Sequence, residues 1–240
     1  MQATTGDGFA YQGSELELFS RAVNWKGYFG SLLRPHLGPR VLDVGAGIGA
    51  NVASMDAPNI TEWVCLEPDD AMAARIRERI ERHELPSKCR VVGGTIARLS
   101  AEDRFDTILY IDVLEHIADD AGELGRATAH LADGGRLAVL SPAHQFLFTP
   151  FDAAIGHHRR YSKRGLLRLA PPQLKLLDVR MIDSFGLLAS LANRLLLRSS
   201  MPSEGQILLW DRVLVPLSRI GDRLSLHRLG KSVLAVWCRQ

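Results

Sequence analysis

Short apolar runs alternate along this chain with longer amphipathic stretches. Runs such as Val41-Leu42-Asp43-Val44, Trp63-Val64-Cys65-Leu66 and Thr107-Ile108-Leu109-Tyr110-Ile111 are too short and too uniformly apolar for surface helices. They predict strands at 40–44, 62–67, 89–93, 105–111 and 136–141, with later ones near 174–182 and 232–238. The stretches between the early runs carry apolar residues at helical spacing and predict helices at 49–55, 69–83 and 119–131. Ahead of the first strand, Leu16, Leu18, Phe19, Val23, Tyr28, Phe29, Leu32 and Leu33 recur on one broad face and predict a helix over 14–37. Pro35 and Gly38-Pro39 end it. Strand–helix alternation implies an α/β fold, a mostly parallel sheet with helices on both faces. Residues 184–229 are largely helical, rich in leucine and arginine, and too long for a loop. The whole of 1–240 therefore reads as a single domain. Residues 1–38 form an N-terminal helical cap, and 184–229 form a helical insertion before the last strand.

Composition adds bounds. At 46% hydrophobic the chain can fill a large core, yet no segment reaches 18 consecutive apolar residues, so no membrane span is expected. Met1 to Gly13 is polar and lacks the basic start and apolar run of a signal peptide. Cys65, Cys89 and Cys238 are scattered without metal-ligand spacing and read as buried free thiols. These features point to the cytoplasm. The net charge of +2 hides an asymmetry, −7 over residues 1–150 and +9 over 151–240. A basic C-terminal third suits an anionic substrate, an acidic lipid surface or nucleic acid, or is simply a solvated face.

The densest chemical signal is Asp43-Val44-Gly45-Ala46-Gly47-Ile48-Gly49, a strand running into a glycine-rich turn. Glycines there let the backbone turn sharply and approach a ligand, and the following helix can aim free N–H groups at it. Such turns at the carboxyl ends of strands bind nucleotides in open α/β sheets. With Ala50 counted, the spacing also fits the dinucleotide fingerprint, and a ligand-free glycine loop is a third reading. Glu67 closes the second strand, where a carboxylate can accept both hydroxyl protons of a ribose. It can equally be an N-terminal helix charge beside Asp69 and Asp70.

A second signal is Tyr110-Ile111-Asp112-Val113-Leu114-Glu115-His116, where an apolar strand passes into a short helix. Together, Asp-x-Gly-x-Gly-x-Gly and this segment resemble two motifs of class I S-adenosylmethionine (SAM) dependent methyltransferases, the second resembling the small-molecule, ubiquinone-biosynthesis type. The resemblance implies a Rossmann-like, seven-stranded sheet whose last strand inserts antiparallel between its neighbours. It implies SAM as cofactor, held by Asp43, Gly45, Gly47, Gly49, Glu67, Pro68, Thr95, Ile96 and Asp112. The absence of a proline pair after Asp112 argues against nucleic-acid methylation.

The stretch from Ser141 to Tyr161 concentrates aromatic and titratable residues after the fifth strand, over the expected cofactor mouth. Its Pro-Ala-His-Gln and Gly-His-His-Arg-Arg-Tyr segments resemble a bacterial sub-group of the same family. His144 and His157 are the candidate bases, Asp152 can orient a histidine, and Tyr161 is counted with them as catalytic. Arg159 and Arg160 can hold a carboxylate or phosphate, and Phe146 and Phe148 can wall the pocket. The competing reading is a structural loop with Asp152 pairing an arginine and Tyr161 in the core. No metal-coordinating carboxylate set is evident, so none is invoked. The basic, amphipathic 187–198 stretch suits either a substrate cap or a membrane interface. The resulting expectation is methyl transfer to an oxygen, nitrogen or carbon of a small acceptor; the basic C-terminal third suits an anionic one. The alternatives are an NAD-dependent oxidoreductase, a non-catalytic partner or membrane-surface module, and a SAM-consuming enzyme that leaves the methyl in place.

Overall fold

The computed structural model describes residues 21–194 and 203–240. Its strands are β1 (Arg40–Val44), β2 (Glu62–Glu67), β3 (Cys89–Gly93), β4 (Phe105–Ile111), β5 (Leu131–Pro142), β6 (Leu174–Ile182) and β7 (Ser232–Arg239). They form one sheet in the order β3-β2-β1-β4-β5-β7-β6. The first five pair in parallel, while β7 runs antiparallel between β5 and β6. Side chains alternate between two cores, as a period of two requires. Val41, Trp63, Cys65, Leu109 and Leu140 join one core, and Leu42, Val64, Ile108, Tyr110 and Val139 join the other. Both faces are covered, which is why the strands read as continuous apolar runs.

The helices are α1 (Val23–Leu33), α2 (Ala50–Met55), α3 (Asp70–Glu81), α4 (Asp120–Ala129), α5 (Pro150–Ala154), α6 (Lys163–Arg168), α7 (Ser184–Ala192), α8 (Glu204–Leu209) and α9 (Val215–Leu224). The helix expected over 14–37 begins at Val23 within the described residues, and its 14–20 portion lies outside them. Pro35 sits in a 3-10 turn, Arg34–His36, that ends it. β5 starts earlier than the apolar pattern indicates. Asp133, Gly134 and Gly135 interrupt that pattern, and the register against β4 shifts there.

The insertion comprises α7, α8 and α9 among its described residues; 195–202 lie outside them, including the end of the 187–198 stretch. A π turn, Trp210–Leu214, joins α8 to α9. It precedes Pro216, which lacks an N–H and whose ring crowds the Arg212 carbonyl. Three buried carboxylates fasten the insertion. Asp211 accepts from the Asn24 and Trp25 backbone N–H groups at 3.2 and 2.8 Å. Asp222 accepts from the Tyr28 hydroxyl at 2.7 Å and from the Asp183 and Ser184 N–H groups at 2.8 and 2.9 Å. Asp183 accepts from Trp210 Nε1 and Ser218 Oγ, both at 2.8 Å. Helix α1 and the insertion thus meet above the carboxyl ends of β1, β2 and β4.

Candidate active site

A cavity of about 490 Å3 opens at those strand ends. One wall is the turn after β1. Gly45, Gly47 and Gly49 all have positive φ, at 65°, 58° and 72°. A Cβ on Gly45 would come within 2.6 Å of Val113 Cγ2, so the turn closes on the β4 exit only with glycine there. Glu67 holds this turn in place: its carboxylate accepts from Gly47 N–H at 2.6 Å and Asp69 N–H at 3.0 Å. Burial raises its carboxyl above the ordinary value, and the two N–H donors oppose that. Pro68, Gly94 and Thr95 continue the wall.

The opposite wall follows β4. Asp112 has φ 53° and turns its carboxylate into the cavity. It is solvated by the cavity but enclosed by protein, which raises its carboxyl to about 6, with His157, Lys231 and Arg160 drawing it back. Glu115 is fully buried, and among the described residues neither oxygen has a hydrogen-bond partner. Burial, reinforced by Asp112, pushes its carboxyl well above the usual range. Beside it, the His116 and His157 rings meet edge-on with centroids 4.5 Å apart. Burial and the neighbouring histidines lower His116 to about 4, leaving it neutral near pH 7.

Helix α5 supplies the group that organises this wall. Thr149 and Asp152 form a capping box, so Asp152 is fixed by its own helix start. Its carboxylate takes His157 Nδ1 at 3.1 Å and Arg160 Nε and Nη2 at 2.9 and 3.0 Å. Those partners hold the Asp152 carboxyl well below the usual carboxylate range, against the upward push of burial. With Nδ1 donating to Asp152, His157 Nε2 is an acceptor, 3.9 Å from Glu115 Oε1. Arg160 Nη1 is buried without a partner among the described residues. Glu115, His116 and His157 also bring three ligand atoms within 4.8 Å of one another, a donor set a divalent transition metal can use. The sequence pattern hid this cluster because His157 lies far along the chain from the other two.

A family model described as a methyltransferase domain matches residues 42–137, from β1 into β5. A ubiquinone biosynthesis O-methyltransferase of Paramagnetospirillum magneticum is 34% identical over 105 residues, 44% of this chain and 41% of the relative. The chain therefore matches about two fifths of that relative's length. The fold resembles coclaurine N-methyltransferase bound to N-methylheliamine and S-adenosylhomocysteine, with TM-score 0.60 and 14% identity over 88% of this chain and 71% of that one. It also resembles the N-methyltransferase NodS of Bradyrhizobium japonicum in complex with S-adenosylhomocysteine, with TM-score 0.56 and 16% identity over 92% and 87%. The chain thus carries a methyltransferase-domain match over 42–137 and shares its fold with solved methyltransferases.

Of the expected cofactor residues, Gly45, Gly47, Glu67, Pro68, Thr95 and Asp112 line the cavity. Three others do not. Asp43 is fully buried beneath the turn near Trp63 and Asn51, where burial raises its carboxyl to about 7. Gly49 faces Leu85 and Ile76, and its glycine is needed for the left-handed start of α2. Ile96 points into the core. In the 141–161 segment, Asp152, His157 and Arg160 reach the cavity. His144 instead bonds the Gly230 carbonyl through Nε2 at 2.9 Å, held at φ 67°. Phe146 is exposed and stacks near His144, and Phe148 lies outside the lining. Arg159 pairs with Asp120 at 2.6 Å. Tyr161 is buried in the core, its hydroxyl donating to Asp120 at 2.8 Å. Two local features turn them away: Tyr161 bridges to Ala143 at the end of β5, setting Arg160 opposite to Arg159 and Tyr161, and His144 and Phe146 lie at the 3-10 turn Gln145–Leu147. The aromatic walls come from Trp25, Phe29, Phe151 and Trp210, and Lys231 adds a buried ammonium. Sequence reading missed these because α1, the insertion and the start of β7 converge only in the folded chain.

Proposed function

We propose that this chain transfers the methyl group of SAM to an oxygen, nitrogen or carbon nucleophile of a small-molecule acceptor. The observation that carries this reading is one cavity joining the glycine turn and Glu67 to the Asp152-held His157. The residues suit the cofactor. The turn has no Cβ to obstruct an approaching ligand at Gly45 and Gly47, Glu67 is placed for ribose hydroxyls, and Asp112 offers a carboxylate to an ammonium. Bound there, SAM supplies a methyl group already made electrophilic by its sulfonium.

The chain's own work is alignment, exclusion of water and removal of a proton. His157 Nε2 accepts the acceptor's proton, and Asp152 fixes the ring and stabilises the imidazolium that forms. Arg160 Nη1 and Lys231 favour an acceptor carrying an acidic or hydroxyl group. The O-methyltransferase relative supports an oxygen nucleophile. Three unpaired cysteines, two of them buried, support a cytoplasmic location.

Calorimetry with SAM, S-adenosylhomocysteine and NAD tests the cofactor. Binding of both adenosyl ligands, weakened in Glu67→Ala, supports the reading; NAD binding alone replaces it with an oxidoreductase. Acceptor turnover that yields S-adenosylhomocysteine separates methyl transfer from other uses of SAM. In His157→Gln, kcat should fall about 100- to 10,000-fold while SAM affinity stays unchanged.

A further inference from the structure

The rod from Glu204 to Leu224 carries a second apolar stripe on its outer face. A helix on a water-soluble surface turns its apolar stripe inward and its charges outward. Here the inward positions mix the apolar Ile207 and Val215 with Asp211, Ser218 and Asp222, all buried, and the polar three are hydrogen-bonded. Leu209, Val213, Leu217, Ile220 and Leu224 recur every three or four residues and are exposed. Ile220 is 61% exposed and Leu224 81%, and Leu226 and Leu229 extend the patch at 71% and 57%. Arg212, Arg219 and Arg223 are also exposed along the rod, with Arg228 just beyond it. Arg219 lies over the Tyr28 ring, and the other three form no ion pair among the described residues. Beyond Glu204 at its start, the rod's acidic residues are the buried Asp211 and Asp222, so the outward face downstream of it carries leucines and positive charge.

Leucine and isoleucine flanked by arginine match the interface of an anionic lipid bilayer, where apolar side chains enter the acyl boundary and guanidinium groups meet headgroup phosphates. We propose that this face of the insertion docks the protein on an anionic membrane surface. The charge fits that occupant: a neutral apolar partner would gain nothing from the arginines, and a second copy of the same face would oppose arginine to arginine. The far side of the same rod, through Trp210, lines the cavity, so docking places the cavity wall beside the lipid surface. The inference stands on this face alone and holds whichever acceptor the cavity takes.

Vesicle flotation of the full chain tests it, using phosphatidylcholine vesicles and mixed phosphatidylcholine–phosphatidylglycerol vesicles. The wild-type protein should float with the anionic vesicles, less so as salt rises, and not with the neutral ones. The Leu217→Ser, Ile220→Ser, Leu224→Ser triple variant removes only exposed side chains. It should lose about tenfold or more in vesicle affinity with its unfolding midpoint and SAM binding unchanged. Arg212→Gln and Arg223→Gln should each cost about fivefold. Wild-type protein that floats with neither vesicle, or a triple variant that binds like wild type, overturns the proposal. So does a wild-type dimer that the triple variant converts to monomer without any vesicle binding, which would make the face a contact between copies.

Discussion

In the proposed reaction, His157 can serve as base only because Asp152 is fixed first. The capping box pins Asp152, the carboxylate orders the ring through Nδ1, and Nε2 is left on the Glu115 side. Asp152→Asn should therefore keep SAM binding yet depress kcat and shift its pH profile, as steady-state rates across pH would show. Gly45→Ala tests the turn. Its Cβ would press on Val113 and its φ of 65° is costly for alanine, so stability should fall by about 1–2 kcal/mol and SAM affinity with it. Asp43 gives a pH prediction. Burial raises its folded value to about 7, well above the ordinary 3.8, so the folded state holds a proton that the unfolded state has released between those values. Stability from this group is therefore greatest at low pH and declines as pH rises toward 7. Relative to wild type, Asp43→Asn should gain about 2–3 kcal/mol between pH 5 and pH 7 in denaturant titrations. A difference that stays flat with pH would show that Asp43 ionises normally.

At the scale of elements, the insertion is held by buried carboxylates as well as by the apolar contacts of Val215 and Trp210. Asp222 alone joins α9 to the end of β6, to the start of α7 and to Tyr28 of α1. Removing it leaves two buried N–H groups and a phenol unpaired, each an uncompensated desolvation. Asp222→Ala should cost about 2–4 kcal/mol, and amide exchange should quicken in 204–224 and 23–33 before it does in β1 or β4. Uniform acceleration across the sheet would mean that the insertion unfolds only with the whole domain. The same polar anchoring explains why α9 can afford to turn its leucines outward.

For the whole molecule, the cavity is walled by the turn after β1, by helix α1, by α5 and by the insertion, which are far apart in sequence. A ligand there couples all four. At about 100 times its Kd, SAM should add about 2.7 kcal/mol of stability and raise Tm by roughly 5–10 °C. Amide exchange should slow in the turn and in the insertion together. A shift confined to residues 42–137 would mean that the cap does not close on the cofactor. The acidic first part and basic last part of the chain also separate by role: the sheet and cofactor turn lie mainly in the former, and the proposed lipid-facing rod lies in the latter.

Local chemistry by itself determined the strands and the cofactor turn. Buried strands need apolar runs whichever neighbours they find, and a turn with φ near 60° needs glycine at Gly45 and Gly47, so both features are written in adjacent residues. Glu67 and Asp112 were legible for the same reason, since the carboxyl end of a parallel strand faces the ligand cleft. The direction of side chains in irregular segments was not written locally. His144, Phe146, Arg159 and Tyr161 share chemistry and neighbourhood with Asp152, His157 and Arg160, yet the folded chain turns the first group away from the cavity and the second toward it. Nor could spacing show that Glu115 would lie buried beside two histidines, or that Trp25, Trp210 and Lys231 would meet. The rod of the insertion shows the limit most plainly. Its amphipathic period is visible in the sequence, but which face is buried depended on Tyr28, Asp183 and the Trp25 backbone supplying hydrogen-bond donors to its carboxylates, and only the tertiary structure brings those donors there.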